Sequence, residues 1–185
     1  MLAFCKGMPI TYVINRSLRV VFAVYKGKTS LDEIVQYAKR LSTDPDFDST
    51  FSELAVLHDF SGSNLTASNL KYFAEEDDPF SLKSARAIYA PSQVAFGTAR
   101  MYQALRDQAG TLEVFRILEE ACRWLGLEHW VSALTELALL DEWDKNNGEN
   151  PQHQEEIDSR KSRQQRREEI MEQIRHSNMP GHDHR

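Results

Sequence analysis

The sequence predicts an α/β protein: a four- to five-stranded mixed sheet with helices packed on it, in the order ββαβαβα, followed by a C-terminal helical extension. Three observations lead there. Short runs rich in β-branched and aromatic residues alternate with segments of helical apolar period. The polar bridge NRS separates the first two runs, whereas a helical segment separates each later pair. Strands joined by a short bridge pair antiparallel and strands joined through a helix pair in parallel, so the sheet is mixed.

ITYVI and LRVVFAVY, on either side of NRS, form the opening hairpin. In the second run Val20, Phe22 and Val24 alternate with Val21, Ala23 and Tyr25. Both sets are apolar, which predicts a central strand covered on two faces. KGKTSLDE supplies a glycine turn and the capping box Ser30 with Glu33, after which Leu31, Ile34, Val35, Ala38 and Leu41 recur at helical spacing. DPDFDSTF is a polar loop, and ELAVL is a short buried strand ending near Asp59. A second helix, from about Thr66 to Glu75, turns Leu70 and Phe73 inward. ARAIYAP is the next strand, stopped by Pro91, and Ser92 caps a third helix in which Val94, Thr98, Met101 and Leu105 share one side. Gly110 ends that unit. LEVFRI is the last strand, and LEEACRWLG is a short helix with glycine just past its end.

This α/β unit covers residues 8–126. MLAFCKG ahead of it is too short for a secretory signal and lacks a cleavage region, so Met8 is read as an alternative start and residues 1–7 as dispensable. Residues 127–144 read as an extra amphipathic helix whose stripe includes Leu127, Trp130, Leu134 and Leu137. That stripe must be buried, on the same domain or on a second subunit. From 145 to 185 the chain becomes a charged, mobile or helical tail. Glu156 precedes Arg160 by four residues and Glu172 precedes His176 likewise, giving a solvated helix without a stable apolar face.

The totals narrow the function classes. A hydrophobic share of 41% with 27% charged residues is that of a globular protein, and a formal charge of −6 argues against general attraction to nucleic acid or anionic lipid. The longest apolar run, VVFAVY, is far short of the roughly 20 residues of a spanning helix. Cys5 and Cys122 are the sole cysteines and form neither a disulfide framework nor a CxxC pair, which fits a reducing cytoplasm.

Several clusters have plain explanations. Asp44, Asp46 and Asp48 resemble the start of a calcium loop, but Pro45, Ser49 and Ala55 stand where that loop needs other residues, so an acidic turn is expected and no metal. The EEDD stretch ending at Asp78 reads as a solvated helix end. His182 and His184 flank Asp183 in a terminal segment with nothing to orient them, and His58 reads as a core or edge residue. The arginines of RKSRQQRR lie near glutamates and lack aromatic partners for bases. No GxSxG, GxGxxG, GxxxxGK or HExxH pattern occurs, so no enzyme and no cofactor is expected.

The order of elements together with LAVLHDFSGSNLTASNL resembles the STAS and SpoIIAA-like family, the anti-sigma factor antagonist fold of bacteria. More narrowly, MPITYVI, the DPDF loop, RAIYAPSQVAFGTARMYQAL and VFRILEEACRWLG look like small bacterial proteins grouped as STAS/SEC14-like, mostly without assigned function. The resemblance covers residues 8–126. It implies a strand leading into an Asp-Ser-Ser-Gly turn where a kinase partner phosphorylates a serine, adding up to about two negative charges. Asp59 and Ser61-Gly62 align with the family's strand exit, but Thr66, Ala67, Ser68 and Asn69 fill the turn. The acceptor serine therefore falls on Ala67, unless the alignment shifts to Ser68. Capping of the helix by Thr66 is the favoured reading of that position.

The leading expectation is a non-enzymatic, cytoplasmic module that binds another protein, with Asp59, Ser61, Ser63, Thr66 and Ser68 as its rim. The helix at 127–144 is a second candidate surface. One alternative is a SEC14-like small-molecule or lipid carrier using Phe73, Phe80, Phe96 and Tyr102; another is a homodimeric scaffold through the 127–144 helix.

Overall fold

The computed structural model describes residues 10–60, 65–106, 110–136 and 154–176. Five strands form one sheet in the order β1-β2-β3-β4-β5: β1 Ile10–Asn15, β2 Val20–Gly27, β3 Ser52–Phe60, β4 Arg86–Tyr89 and β5 Leu112–Phe115. β1 and β2 are antiparallel, with Ile10 opposite Tyr25, and the remaining pairings are parallel. The mixed α/β sheet expected from the connection lengths is thus present, with five strands.

Each parallel connection moves one strand further in the same direction, so right-handed crossovers lay their helices on a single face. That first face carries α1 Leu31–Ser42, α2 Ala67–Tyr72 and α3 Gln93–Arg106. The capping box of α1 forms as expected: Ser30 accepts from the Glu33 amide, and the Glu33 carboxylate accepts from the Ser30 amide at 2.6 Å. On this face Val21, Ala23, Ala55 and Ile88 meet Tyr37, Leu41, Leu70 and Ala99. The buried side of α3 is Ala95, Ala99, Tyr102 and Arg106, whereas Val94 is 54% exposed. The apolar set read from the sequence was therefore rotated by one residue. Arg106 is a polar residue that points inward, which an apolar pattern cannot register.

The second face is covered by α4 Leu118–Leu125, the turn of 3-10 helix Glu128–Trp130, α5 (131–136) and α6 Gln154–His176. Gly126 ends α4 at φ 72°, a conformation that costs glycine little, and the Leu127 amide donates to the Cys122 carbonyl at 2.8 Å. Val20, Phe22 and Val24 of β2 pack here, so both faces of that strand are covered. Trp130 meets the Phe22 ring edge-on, centroids 6.3 Å apart, and Leu127 and Leu134 are buried beside it. Of the two destinations open to the apolar stripe, the chain's own sheet is the one observed. Leu137 lies outside the described residues, as do residues 1–7 and the three histidine-tail residues 182–184.

The expectation of a helix without a stable apolar face is corrected for the described part of α6. Ile170, Met171 and Ile174 are buried against the second face, and buried Asn15 donates its side-chain amide to the Ile174 carbonyl at 2.5 Å. Arg166 clasps Glu136 through two bonds of 2.6 and 2.9 Å. A single turn of apolar residues suffices, because each buried aliphatic side chain is worth about 1.5–3 kcal/mol. Among the described residues, no helix is long and apolar enough to cross a membrane.

Candidate functional site

Of the residues proposed as a rim, Asp59 lies near the end of β3, and Thr66 and Ser68 lie at the start of α2. Lys26 pairs with Asp59 and Val24 with Val56, so two steps along β2 match three along β3. This bulge over Leu57 and His58 bends β3 just before Asp59, as bulges do where a strand must redirect its end. Ser61 and Ser63 lie outside the described residues. The Thr66 hydroxyl accepts a hydrogen bond from the Asn69 amide at 3.2 Å, so this side chain is the N-cap of α2. Ser68 is exposed in the first turn, and Tyr72, four residues on and therefore on the same helical face, is 56% exposed. Lys71 and Glu75 form an ion pair beside them at 3.8 Å. His58 is half-buried and stacks on Tyr89 with centroids 6.2 Å apart.

The expected helix from Thr66 to Glu75 is two pieces. After α2 the chain widens into a π turn, Phe73–Asp77, closed by the Asp78 amide donating to the Phe73 carbonyl at 2.9 Å. Leu70 and Phe73 face inward as expected. Glu75 and Glu76 are exposed, as a solvated end requires, but the π turn sends Asp78 inward, which corrects the reading at that residue: its side chain is 3% exposed.

Asp78 belongs to a buried ionic network that escaped the sequence. Arg86, the first residue of β4, donates to Glu53 Oε2 from Nε at 2.8 Å and from Nη2 at 2.5 Å. Its Nη1 donates to Asp78 Oδ2 at 2.8 Å and to the Tyr102 hydroxyl at 3.0 Å. Arg106 pairs with Asp78 and donates to the Phe80 carbonyl at 2.9 Å, and the Tyr102 hydroxyl also donates to Asp78. Tyr37 donates to Glu53 Oε1 at 2.8 Å. Two carboxylates thus balance two guanidiniums. Burial by itself would raise the Asp78 pKa, but Arg86 and Arg106 hold it below the usual carboxylate value. Burial pushes the phenols of Tyr25 and Tyr37 up, and the Glu53 charge adds to both. The signal available beforehand was a charged residue opening each of two neighbouring apolar strands, Glu53 and Arg86, which the register sets opposite one another.

Next to this network, between the first face and α1, α2 and α3, is a cavity of about 60 Å³. Phe60 and Leu65 bring it to the end of the 58–70 segment, and Arg86, Tyr25 and Tyr102 border it. Of the aromatic residues offered for a carrier, Phe73 and Tyr102 line the cavity, while Phe80 instead packs edge-on with Phe47, centroids 5.3 Å apart, and Phe96 stacks under Arg116 at 4.1 Å.

The acidic turn at 44–48 is engaged internally. Asp44 accepts from the Tyr12 hydroxyl at 3.0 Å, Asp46 pairs with Arg16 at 3.3 Å, and Asp48 accepts from the Thr50 amide at 2.8 Å. Among the described residues no three metal-capable side chains converge.

No family model, no curated protein and no solved structure matches the chain.

Proposed function

We propose that the chain is a STAS-like, non-enzymatic module that recognises another protein through the outer face of α2 and the adjoining end of β3. The observation that carries this reading is Tyr72, 56% exposed on a six-residue helix that presents Ser68, four residues earlier, on the same side. An uncovered tyrosine is a residue type enriched in binding hot spots, where a rigid aromatic supplies contact area at little cost in side-chain entropy. The position adds weight, because open α/β sheets gather their ligands at the carboxyl ends of the strands. Thr66 serves here as a cap, so recognition does not depend on its phosphorylation. Leu127, Trp130 and Leu134 belong to the core in this reading, and α2 with the end of β3 supplies the surface.

The test places a photo-crosslinking amino acid at position 72 and, as a control, at Leu82, which is equally exposed at 57%. A discrete crosslinked protein at position 72 and none at 82 is expected. Calorimetry with that protein should then show binding weakened at least tenfold in Tyr72→Ala and Asp59→Ala, as for an interface hot spot. Unchanged affinity in both variants contradicts the proposal.

A further inference from the structure

The cavity beneath α2 has a chemistry distinct from the outer surface of that helix. Nine of its thirteen lining residues carry no polar side-chain atom. Arg86 is its sole ionised lining residue, and that charge is already balanced by carboxylate oxygens of Glu53 and Asp78 at 2.5 and 2.8 Å. An anionic guest would have to displace one of them, and a cationic guest would face the guanidinium. Either would also lose part of its hydration against the apolar lining.

Three lining residues carry hydroxyls, Tyr25, Thr98 and Tyr102, and the two phenols differ in their commitments. Tyr102 is committed, since it donates to Asp78 and accepts from Arg86. Tyr25 packs edge-on against Tyr37, with centroids 5.8 Å apart, but its hydroxyl makes no hydrogen bond to another described residue. Burial keeps this phenol protonated far above neutral pH, so it remains a donor. One water needs about 10–15 Å³ of such space, so a cavity of this size holds a body of roughly four non-hydrogen atoms.

We propose that this cavity is a binding site for a small neutral organic molecule with an apolar body and one hydrogen-bond acceptor, such as a short ketone or alcohol, held by the Tyr25 hydroxyl. The site is independent of partner recognition on the outside of α2.

Acetone and acetate are nearly the same size and shape, and they differ in charge, so they test the claim directly. The full chain, labelled with nitrogen-15, is titrated with each while its amide NMR spectrum is followed. Acetone should give saturable shifts, on the order of millimolar, concentrated at Ala55, Leu57, Ile88 and Ala99, which line the cavity. Acetate should give none there. Tyr25→Phe should weaken saturation by acetone roughly three- to tenfold, the worth of one neutral hydrogen bond. Ala99→Leu fills the space and should abolish saturation while the rest of the spectrum is preserved; Ala55→Val serves if that variant does not fold. Saturation by acetate at the same amides overturns the proposal, as do shifts by acetone that stay linear and scattered over the surface. Binding that survives the filled cavity overturns it as well.

Discussion

Arg86 begins a buried strand, and the fold tolerates it because Glu53, Asp78 and Tyr102 satisfy its guanidinium on three sides. Removing one member of such a group leaves an uncompensated charge in the core. Arg86→Met should therefore destabilise the chain by about 3–5 kcal/mol in urea unfolding. The double variant Glu53→Met with Arg86→Met leaves Asp78 paired with Arg106, so it should cost clearly less than the two single changes added together. Additive costs would show that the two residues do not act as a pair. Beyond the charges that open β3 and β4, the sequence left this group hidden, because its ion pairs join residues 33, 28 and 8 positions apart and none lies within a single helix or strand. Thr66 was legible for the opposite reason, its partner amide being three residues away.

Among the elements, the strands and the helices α1 to α4 were readable because period and caps are local properties. The π turn was not, since it accompanies the burial of Asp78 against Arg86 and Arg106, which lie 8 and 28 positions further along the chain. The burial of α6 was hidden as well. Three apolar residues in one turn of a 23-residue charged helix leave no sustained stripe for a pattern to detect. Those three nevertheless anchor the element, and Ile174→Asp should undock it. Hydrogen exchange across residues 162–176 should then accelerate at least tenfold, and the fluorescence of Trp130 should shift to longer wavelength as water reaches it. Unchanged protection in this variant would mean that the Arg166–Glu136 clasp holds the helix by itself.

At the scale of the whole molecule, the ionisable groups of the first face set the pH limits of stability. The folded pKa of Asp78 lies below its unfolded value of about 3.9. Its stabilisation is therefore complete above that pH and is lost as pH falls through the folded value. Tyr25, Tyr37 and Tyr102 have folded values above the unfolded value of about 10, so their contribution is complete below pH 10 and is lost as pH rises through the folded values. The urea midpoint should stay level between roughly pH 5 and pH 9 and fall on both sides. Tyrosinate absorbance from these three phenols should emerge only together with unfolding; their ionisation in a chain that is still folded would contradict the assignment.

Every strand in this sheet lies beside its predecessor in the chain, so each pairing closes the shortest loop that the order of elements allows. The bond from Asn15 to Ile174 spans 159 positions and is different in kind. Docking α6 onto β1 closes a far longer loop than any strand pairing does, so its protection from hydrogen exchange is expected to arise after the sheet that receives it has formed.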